Sequence, residues 1–346
     1  MAAEVLPKDQ APTLAQFYST KFDELIAPSV APSTAREYGY VFERHILPAL
    51  GNLRITSLTT GAVNQFSASL LAAGYSPWTA NAYVNVLSAV LSYAVLFGVV
   101  SEPPLKTRPK KYKTEKPCNE LSDEEESRLL AAFDDEAGFR VYLAQHMPKG
   151  RPSEAPGNHF GGRRAHGAGL RSDGEAAGDY FRRYRRAKAI ILLAVDLGLR
   201  LGDLLGLQWS SVDLTEALVS VVMKKTKRKV VVPISTRCLA VLAAFRAESP
   251  KAKFVLIDEQ GRRYGVQRVR RYFTIAKTLA GFPEDRRIRL HDLRHTYGTK
   301  LARRSTPLLD ISKMLGHSSI AVTQRYARVD ETAIRTVRAA VNRNPE

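Results

Sequence analysis

Near the C-terminal end, His291, Arg294, His317 and Tyr326 have the types and spacing to handle a phosphodiester. His291 and Arg294 stand three apart, so on a helix they are neighbours on one face. A guanidinium can fork onto two phosphate oxygens, an imidazole can donate a hydrogen bond or move a proton, and a phenol can attack phosphorus. No carboxylate is among the four, which turns the chemistry away from a carbonyl or a metal. HxxR alone matches by chance in many basic proteins. The order and spacing of the whole set carry the reading.

Helices must position these groups. Leu293, Tyr297 and Leu301 recur at four-residue spacing and predict a helix with a buried stripe. Tyr297, the rival phenol, lies on that stripe and reads as core. Leu308 to Met314 predicts a second helix, which Gly316 ends in a left-handed cap that turns His317 back toward the molecule. Ser318 or Ser319 then caps a last helix carrying Thr323, Gln324, Arg325 and Tyr326.

His291-x-x-Arg294, Leu-Gly-His317 and Tyr326 together resemble the C-terminal signature of tyrosine recombinases of the phage-integrase family. Gly198-Leu199-Arg200 through Asp203 to Trp209 looks like that family's first arginine box. Lys224-Lys225-Thr226-Lys227-Arg228-Lys229 through Pro233 looks like its lysine-bearing β-hairpin. The resemblance covers roughly residues 13 to 335, apart from one insertion. It implies a mainly α fold with a small β-hairpin or sheet: an N-terminal four-helix core-binding domain and a C-terminal mixed α/β catalytic domain.

The bulk composition agrees with a nucleic-acid partner. The 346 residues suffice for two cores. With 52 Lys+Arg against 34 Asp+Glu, the formal charge is +18. That surplus implies a polyanion, nucleic acid before membrane, because no amphipathic anchor accompanies it. Cys118 and Cys238 have no metal or CxxC spacing, so neither a disulfide nor zinc is implied. The apolar run Ala189 to Val195 is too short to span a bilayer, and no signal core opens the chain, so a cytoplasmic, nucleoid-associated protein is expected.

Taken in order, residues 1–12 read as a flexible N-terminus and 13–100 as the helical DNA-binding domain. Its helices are expected at 13–28, from Pro32 to His45 with a stop before Pro48, at 60–73, and from Pro77 to Phe97. Thr34, Arg36, Thr79 and Asn81 could touch phosphates, although capping explains Thr34 and Thr79 equally well. Because so few residues precede this domain, a separate arm-binding domain is expected to be missing. Residues 101–119 form a proline-rich basic linker whose Lys106, Arg108, Lys110, Lys111 and Lys113 suit a strap along a DNA backbone, or equally a solvated charge run.

Ser122 with Glu125 is a capping box that opens the catalytic domain, 120–335. About 147–178 reads as an inserted loop that either reaches DNA or a neighbouring subunit through Arg151, Arg163, Arg164 and Arg171 or is dispensable for cleavage; its His159 and His166, like nearby His146, lack metal-site order. Tyr184 to Leu197 predicts a buried helix delivering Arg200. Ala217 to Met223 and Lys229 to Ile234 predict a hairpin with a basic tip. Helices follow at Ser235 to Glu248 and Tyr264 to Leu279, the latter presenting Arg268, Arg270, Arg271 and Lys277. Residues 327–342 can form one more short helix, long enough to dock on a neighbouring protomer as in the family; the domain boundary is set at 335, with 336–346 as the C-terminal tail.

By resemblance, Arg200 and Arg294 hold the non-bridging phosphate oxygens, and Lys225 protonates the departing 5′ oxygen. Lys224, Lys227 and Lys229 crowd Lys225, so it is a preference among four. His291 is general base or phosphate donor, His317 hydrogen-bonds the phosphate, and Tyr326 is the nucleophile. Asp203 orients the site or serves as an ordinary salt-bridge partner. DNA contacts are expected from Lys106, Arg108, Lys110, Lys111, Lys224, Lys227, Arg270 and Arg271. No metal or other cofactor is implied. The implied activity is site-specific recombination of two double-stranded sites by a homo-tetramer, through a 3′-phosphotyrosine and a four-way (Holliday) junction, integrating or excising a mobile element with or without DNA-bending or excision factors. The alternatives are a type IB topoisomerase and a DNA-binding regulator without turnover.

Overall fold

The computed structural model describes residues 11–114, 119–146 and 174–326. The fold is mostly helical with one small sheet, and the chain divides into two compact units, Met1–Lys116 and Pro117–Glu346.

The first unit holds α1 (Leu14–Lys21), α2 (Ala27–Ser29), α3 (Pro32–Val41), α4 (Leu47–Leu50), α5 (Thr60–Ala72) and α6 (Pro77–Leu96). Thr13 and Gln16 form a reciprocal capping box at the start of α1. A π turn, Phe22–Ile26, joins α1 to α2, and another, Phe42–Ile46, joins α3 to α4. The helix from Pro32 therefore runs through Pro48 to Leu50 instead of stopping before the proline. The cause is local. A proline lacks an N–H and its ring crowds the carbonyl four residues back. In the π turn the Leu47 N–H bonds the Phe42 carbonyl, which shifts the ladder before the ring arrives. Phe22, Ala27 and Pro28 repeat the device.

Helix α6 is long and apolar enough to cross a membrane by length and composition, a helix that the apolar run Ala189 to Val195 did not anticipate. Here it belongs to the first unit's core, its Val84, Leu87, Val90 and Leu91 buried in one cluster with Phe17, Phe42 and Phe66. Its N-cap is Ser76, not Thr79. Thr34 is no cap either, since Ala31 holds that position. Asn81, a candidate phosphate ligand, is occupied: its amide donates to the Tyr112 carbonyl at 2.8 Å and accepts the Tyr112 N–H at 3.0 Å. Asn64 accepts the Lys110 N–H at 2.8 Å, and Thr60 donates to the Thr107 carbonyl at 3.0 Å. The basic segment thus lies along the helical unit through at least Tyr112, with Lys106, Arg108, Lys110, Lys111 and Lys113 exposed.

The second unit holds α7 (Asp123–Ala131), α8 (Glu136–His146), α9 (Gly174–Leu197), α10 (Leu201–Leu204), β1 (Val212–Asp213), β2 (Leu218–Val222), β3 (Lys229–Pro233), α11 (Thr236–Glu248), α12 (Val266–Leu279), α13 (Leu290–Arg303) and α14 (Leu308–Leu315). Helix α9 begins at Gly174, so 174–178, expected in the insertion, are helical; residues 147–173, with His159 and His166, lie outside the described residues. Ser122 and Glu125 make the capping box of α7, and Arg286 holds the same Glu125 carboxylate at 2.8 Å.

The sheet has the antiparallel order β1-β2-β3, with Val219 opposite Val232 and Val221 opposite Val230. Along β3, Val230 and Val232 point into the core while Val231 faces out. Four helices are tied by one set of charges: Glu126 of α7 bonds Arg237 of α11 and Lys300 of α13, each at 2.6 Å, and Arg237 also pairs with Asp196 of α9. Burial works to raise the Asp196 carboxyl, but hydrogen bonds from Arg237 and Ser235 hold it below the usual range.

Candidate active site

Helix α13 is the axis of the site. Asp292, buried within its first turn, accepts the Arg289 N–H at 2.8 Å and closes the helix start. Leu293 and Tyr297 are buried and Leu301 partly so, forming the stripe that seats α13 on the core. The stripe needs a glycine opposite. Gly198 has a φ of +59°, and a Cβ on it would lie 2.3 Å from the Tyr297 ring. That close approach brings the end of α9, and the Arg200 that follows, beside α13.

Arg294 is 3% exposed, and its guanidinium donates to the Gly198 carbonyl at 2.8 Å and to the Leu315 carbonyl. It therefore joins the ends of α9 and α14. Burial, with Arg200 as a nearby like charge, pushes its pKa down to about 10, while Tyr326 and Asp203 act in the opposite sense. Arg200 itself keeps a buried Nη1 with no hydrogen-bond partner among the described residues. Two close cations and an unmet buried donor describe a place built for an anion.

Gly316 ends α14 at a φ of +58°, and its N–H returns to the last turn. His317, buried, follows at once, with Nδ1 2.8 Å from the Thr323 hydroxyl. The helix expected after Ser319 is absent: Ser319 caps a 3₁₀ turn, Ile320–Val322, and a second, Gln324–Tyr326, carries the tyrosine. The tighter turns fold Tyr326 back onto α13. Its ring lies over Gly298, where a Cβ would come within 2.7 Å of it, and its hydroxyl is 2.8 Å from Nδ1 of His295. The His317 ring faces the same phenol, centroids 6.5 Å apart at 18°. His291, one turn before His295, is exposed and meets it edge-on at 4.9 Å.

The hairpin lysines separate. Asp203, buried, accepts the Lys224 N–H at 2.9 Å, and the Lys224 ammonium is directed onto the Gly202 carbonyl at 3.0 Å. Lys225, Lys227 and Lys229 are exposed around the turn, with Lys227 at a φ of +57°. On α12, Arg270 and Arg271 are exposed, whereas Arg268 pairs with Asp258 at 3.0 Å and Lys277 bonds the Ile288 carbonyl at 3.1 Å.

The structure thus gathers Arg294, His317 and Tyr326 around the N-terminal half of α13, with Arg200 and Asp203 close enough to act on the Arg294 charge. Lys106, Arg108, Lys110 and Lys111 belong to the first unit. His295, Thr323, Gly298 and Arg228 were not singled out as site residues from sequence. A histidine at the helical i, i+4 position from His291 was the one available signal. No group of histidine, cysteine, aspartate and glutamate suited to a metal occurs among the described residues. Cys238 is buried, which pushes its thiol up to about 12, and Cys118 lies outside the described residues.

The phage integrase family model matches residues 176–333, and the phage integrase N-terminal SAM-like domain model matches 13–71. This chain belongs to the phage integrase family. It is 29% identical over 275 residues to the tyrosine recombinase XerC of Pseudomonas syringae pv. syringae (strain B728a), a span of 76% of this chain and 89% of that protein. With the XerC of Pseudomonas fluorescens (strain Pf0-1) it shares 32% over 151 residues, 42% of this chain and 49% of the relative, so that match spans about half the relative's length. Among solved structures, the Tn1549 transposon integrase in complex with circular intermediate DNA superposes with a TM-score of 0.64 at 15% identity, covering 96% of this chain and 100% of that one. A lambda integrase tetramer bound to a Holliday junction gives 0.64 at 16%, covering 93% and 79%.

Proposed function

We propose that this protein is a site-specific DNA recombinase or integrase that cuts and rejoins two duplex sites through a 3′-phosphotyrosine intermediate. The observation that carries this reading is the placement of a buried phenol among imidazoles, beside two arginines that act on each other. Attack at phosphorus puts charge on the non-bridging oxygens and leaves an alkoxide, so the site must supply cations and an acid.

In the proposed reaction Arg200 and Arg294 hold the non-bridging oxygens. Arginine suits the task because its fork is bidentate and its charge persists; even at about 10, the Arg294 value leaves that cation charged near neutrality. His317, its ring fixed by Thr323, and His291 serve the phosphate. Lys225 protonates the 5′ oxygen as it leaves, while Lys224 and Asp203 brace the hairpin. Tyr326 attacks and keeps the bond energy as a phosphotyrosine, so religation draws on no separate energy source. The exposed cations of 106–113, Lys227, Arg270 and Arg271 contact the backbone of a double-stranded site.

A homo-tetramer exchanging strands through a Holliday junction, on a mobile element, is the form of reaction we assign. The match of 13–71 to an integrase N-terminal domain, and integrases of similar fold solved on a Holliday junction and on circular intermediate DNA, support it over a monomeric topoisomerase. The division into a helical DNA-binding unit and a catalytic unit, action in the cytoplasm at the nucleoid, and help from bending or excision factors belong to the same proposal.

The test is a nicked suicide duplex built on a site that the protein selects from a random duplex pool. A covalent protein–DNA band on a denaturing gel is expected with wild type and not with Tyr326→Phe. Tight binding without any band would favour a regulator that binds and does not cut.

A further inference from the structure

We propose that His295 is the general base for Tyr326, taking the phenolic proton as the oxygen attacks phosphorus. This assignment rests on the strand-breaking reading above and names a residue for one step of it. Nδ1 of His295 stands 2.8 Å from the Tyr326 hydroxyl, inside the reach a base needs. The phenol is 3% exposed, which keeps bulk water from serving as the base. An imidazole titrates near neutrality, so its neutral form can accept this proton and return it.

The helix geometry explains how the pair is held. His295 and Gly298 are three apart and share a face of α13. The Tyr326 ring lies over Gly298, where only a residue without a Cβ leaves room, and its hydroxyl extends toward His295. Arg294 immediately precedes His295, so consecutive residues deliver a phosphate ligand and a base from two directions. His291 packs edge-on against the His295 ring at 4.9 Å and limits its swing.

The proton balance closes within the site. On cleavage the Tyr326 O–H bond breaks, its proton passes to Nδ1 of His295, and the oxygen bonds phosphorus. The bond from phosphorus to the 5′ oxygen breaks, and that oxygen takes a proton from Lys225. On religation the 5′ hydroxyl gives its proton back to Lys225 and attacks phosphorus. The phenol departs and recovers its proton from His295. Nothing is oxidised and no other reactant is needed.

The experiment uses the full chain and the selected nicked duplex under single-turnover conditions, comparing wild type, His295→Gln, His295→Ala and Tyr326→Phe. Glutamine keeps an acceptor for the hydroxyl but cannot take its proton. Both His295 variants are expected to form the adduct about 100-fold more slowly, with DNA affinity and melting temperature near wild type. The variants should lose the rise of rate with pH that an imidazole base imposes; His291, Arg294, His317 and Tyr326 surround this group and remain in both. Added imidazole should restore part of the rate in His295→Ala. A wild-type rate and pH profile in His295→Ala overturns the assignment. So does a slow rate that keeps the wild-type pH profile and ignores imidazole, because that is the behaviour of a positioning residue. If wild type itself forms no adduct, the strand-breaking reading falls and the base assignment falls with it.

Discussion

The guanidinium of Arg228 donates to the carbonyl of His317 and, at 3.3 Å, to that of Ser318. This fastens the hairpin that bears Lys225 to the turn that bears His317. The contact is tight at its other edge too, since a Cβ on Gly316 would lie 2.8 Å from Val230. The proposed acid and one of the proposed phosphate donors therefore move as one body. Arg228→Ala should slow adduct formation about tenfold, equivalent to about 1.4 kcal/mol on the barrier, with little change in DNA affinity. Rapid-quench gels measure it, and an unchanged rate would show that the hairpin holds its place without this tie.

Gly298→Ala tests the seat of the nucleophile. Alanine favours an exposed helix interior by about 1 kcal/mol over glycine, yet here the added methyl would meet the Tyr326 ring at 2.7 Å. The helix should persist while the tyrosine is displaced. Adduct formation is expected to drop by at least about tenfold, with helicity by circular dichroism unchanged. A variant that cleaves normally would mean the ring has another place to rest.

Asp203 separates its hydrogen bond from its charge. Asp203→Ala leaves the Lys224 N–H without its acceptor, and urea unfolding should register a loss of about 1–2 kcal/mol. Asp203→Asn retains an oxygen for that N–H and should lose less than half as much, while both variants cut more slowly because Arg294 loses a favourable neighbour. Equal destabilisation by the two would give the role to the charge alone.

Acid should loosen the second unit through Asp196. Its carboxyl is held low in the fold by Arg237 and Ser235 against the effect of burial. A depressed carboxylate contributes stability above its unfolded value, near 4, and that contribution is lost as pH falls through the lower folded value. At pH 7, Asp196→Asn should be less stable than wild type by about 2 kcal/mol. The gap should narrow as pH falls below the unfolded value and close once it passes the lower folded value. A gap that stays constant from pH 7 to pH 3 would falsify the linkage.

Much of this was legible in the chain because it rests on local rules. Leu293, Tyr297 and Leu301 announced α13 by period, Gly316 announced the end of α14, and Ser122 with Glu125 announced α7. The unread parts depend on which groups meet across the fold. Nothing local tells that His295 reaches a tyrosine 31 residues on, or that Arg228 in a run of lysines is directed to a carbonyl while Lys225 is exposed. Asn81 looked available to DNA because its partner, Tyr112, lies in a segment that reads as linker. The last helix failed for a physical reason: Ser319 begins a 3₁₀ turn that closes in three residues, and an α-helix there would carry Tyr326 along a different line.

The two π turns of the first unit carry a consequence for how this chain can gain or lose residues. Phe22-Asp23-Glu24-Leu25-Ile26-Ala27-Pro28 and Phe42-Glu43-Arg44-His45-Ile46-Leu47-Pro48 share a spacing of phenylalanine, isoleucine and proline. In each, the turn holds one residue more than an α-helix requires, and the proline is what that residue accommodates. Deleting Glu24 or Glu43 alone would return the turn to α spacing, leaving the facing of the downstream residues unchanged, and bring the proline ring against the carbonyl four residues back. Deletion and proline are thus a matched pair in heredity. Relatives that lack the extra residue should also lack the proline that follows it, and a lineage that lost only one would carry a broken helix.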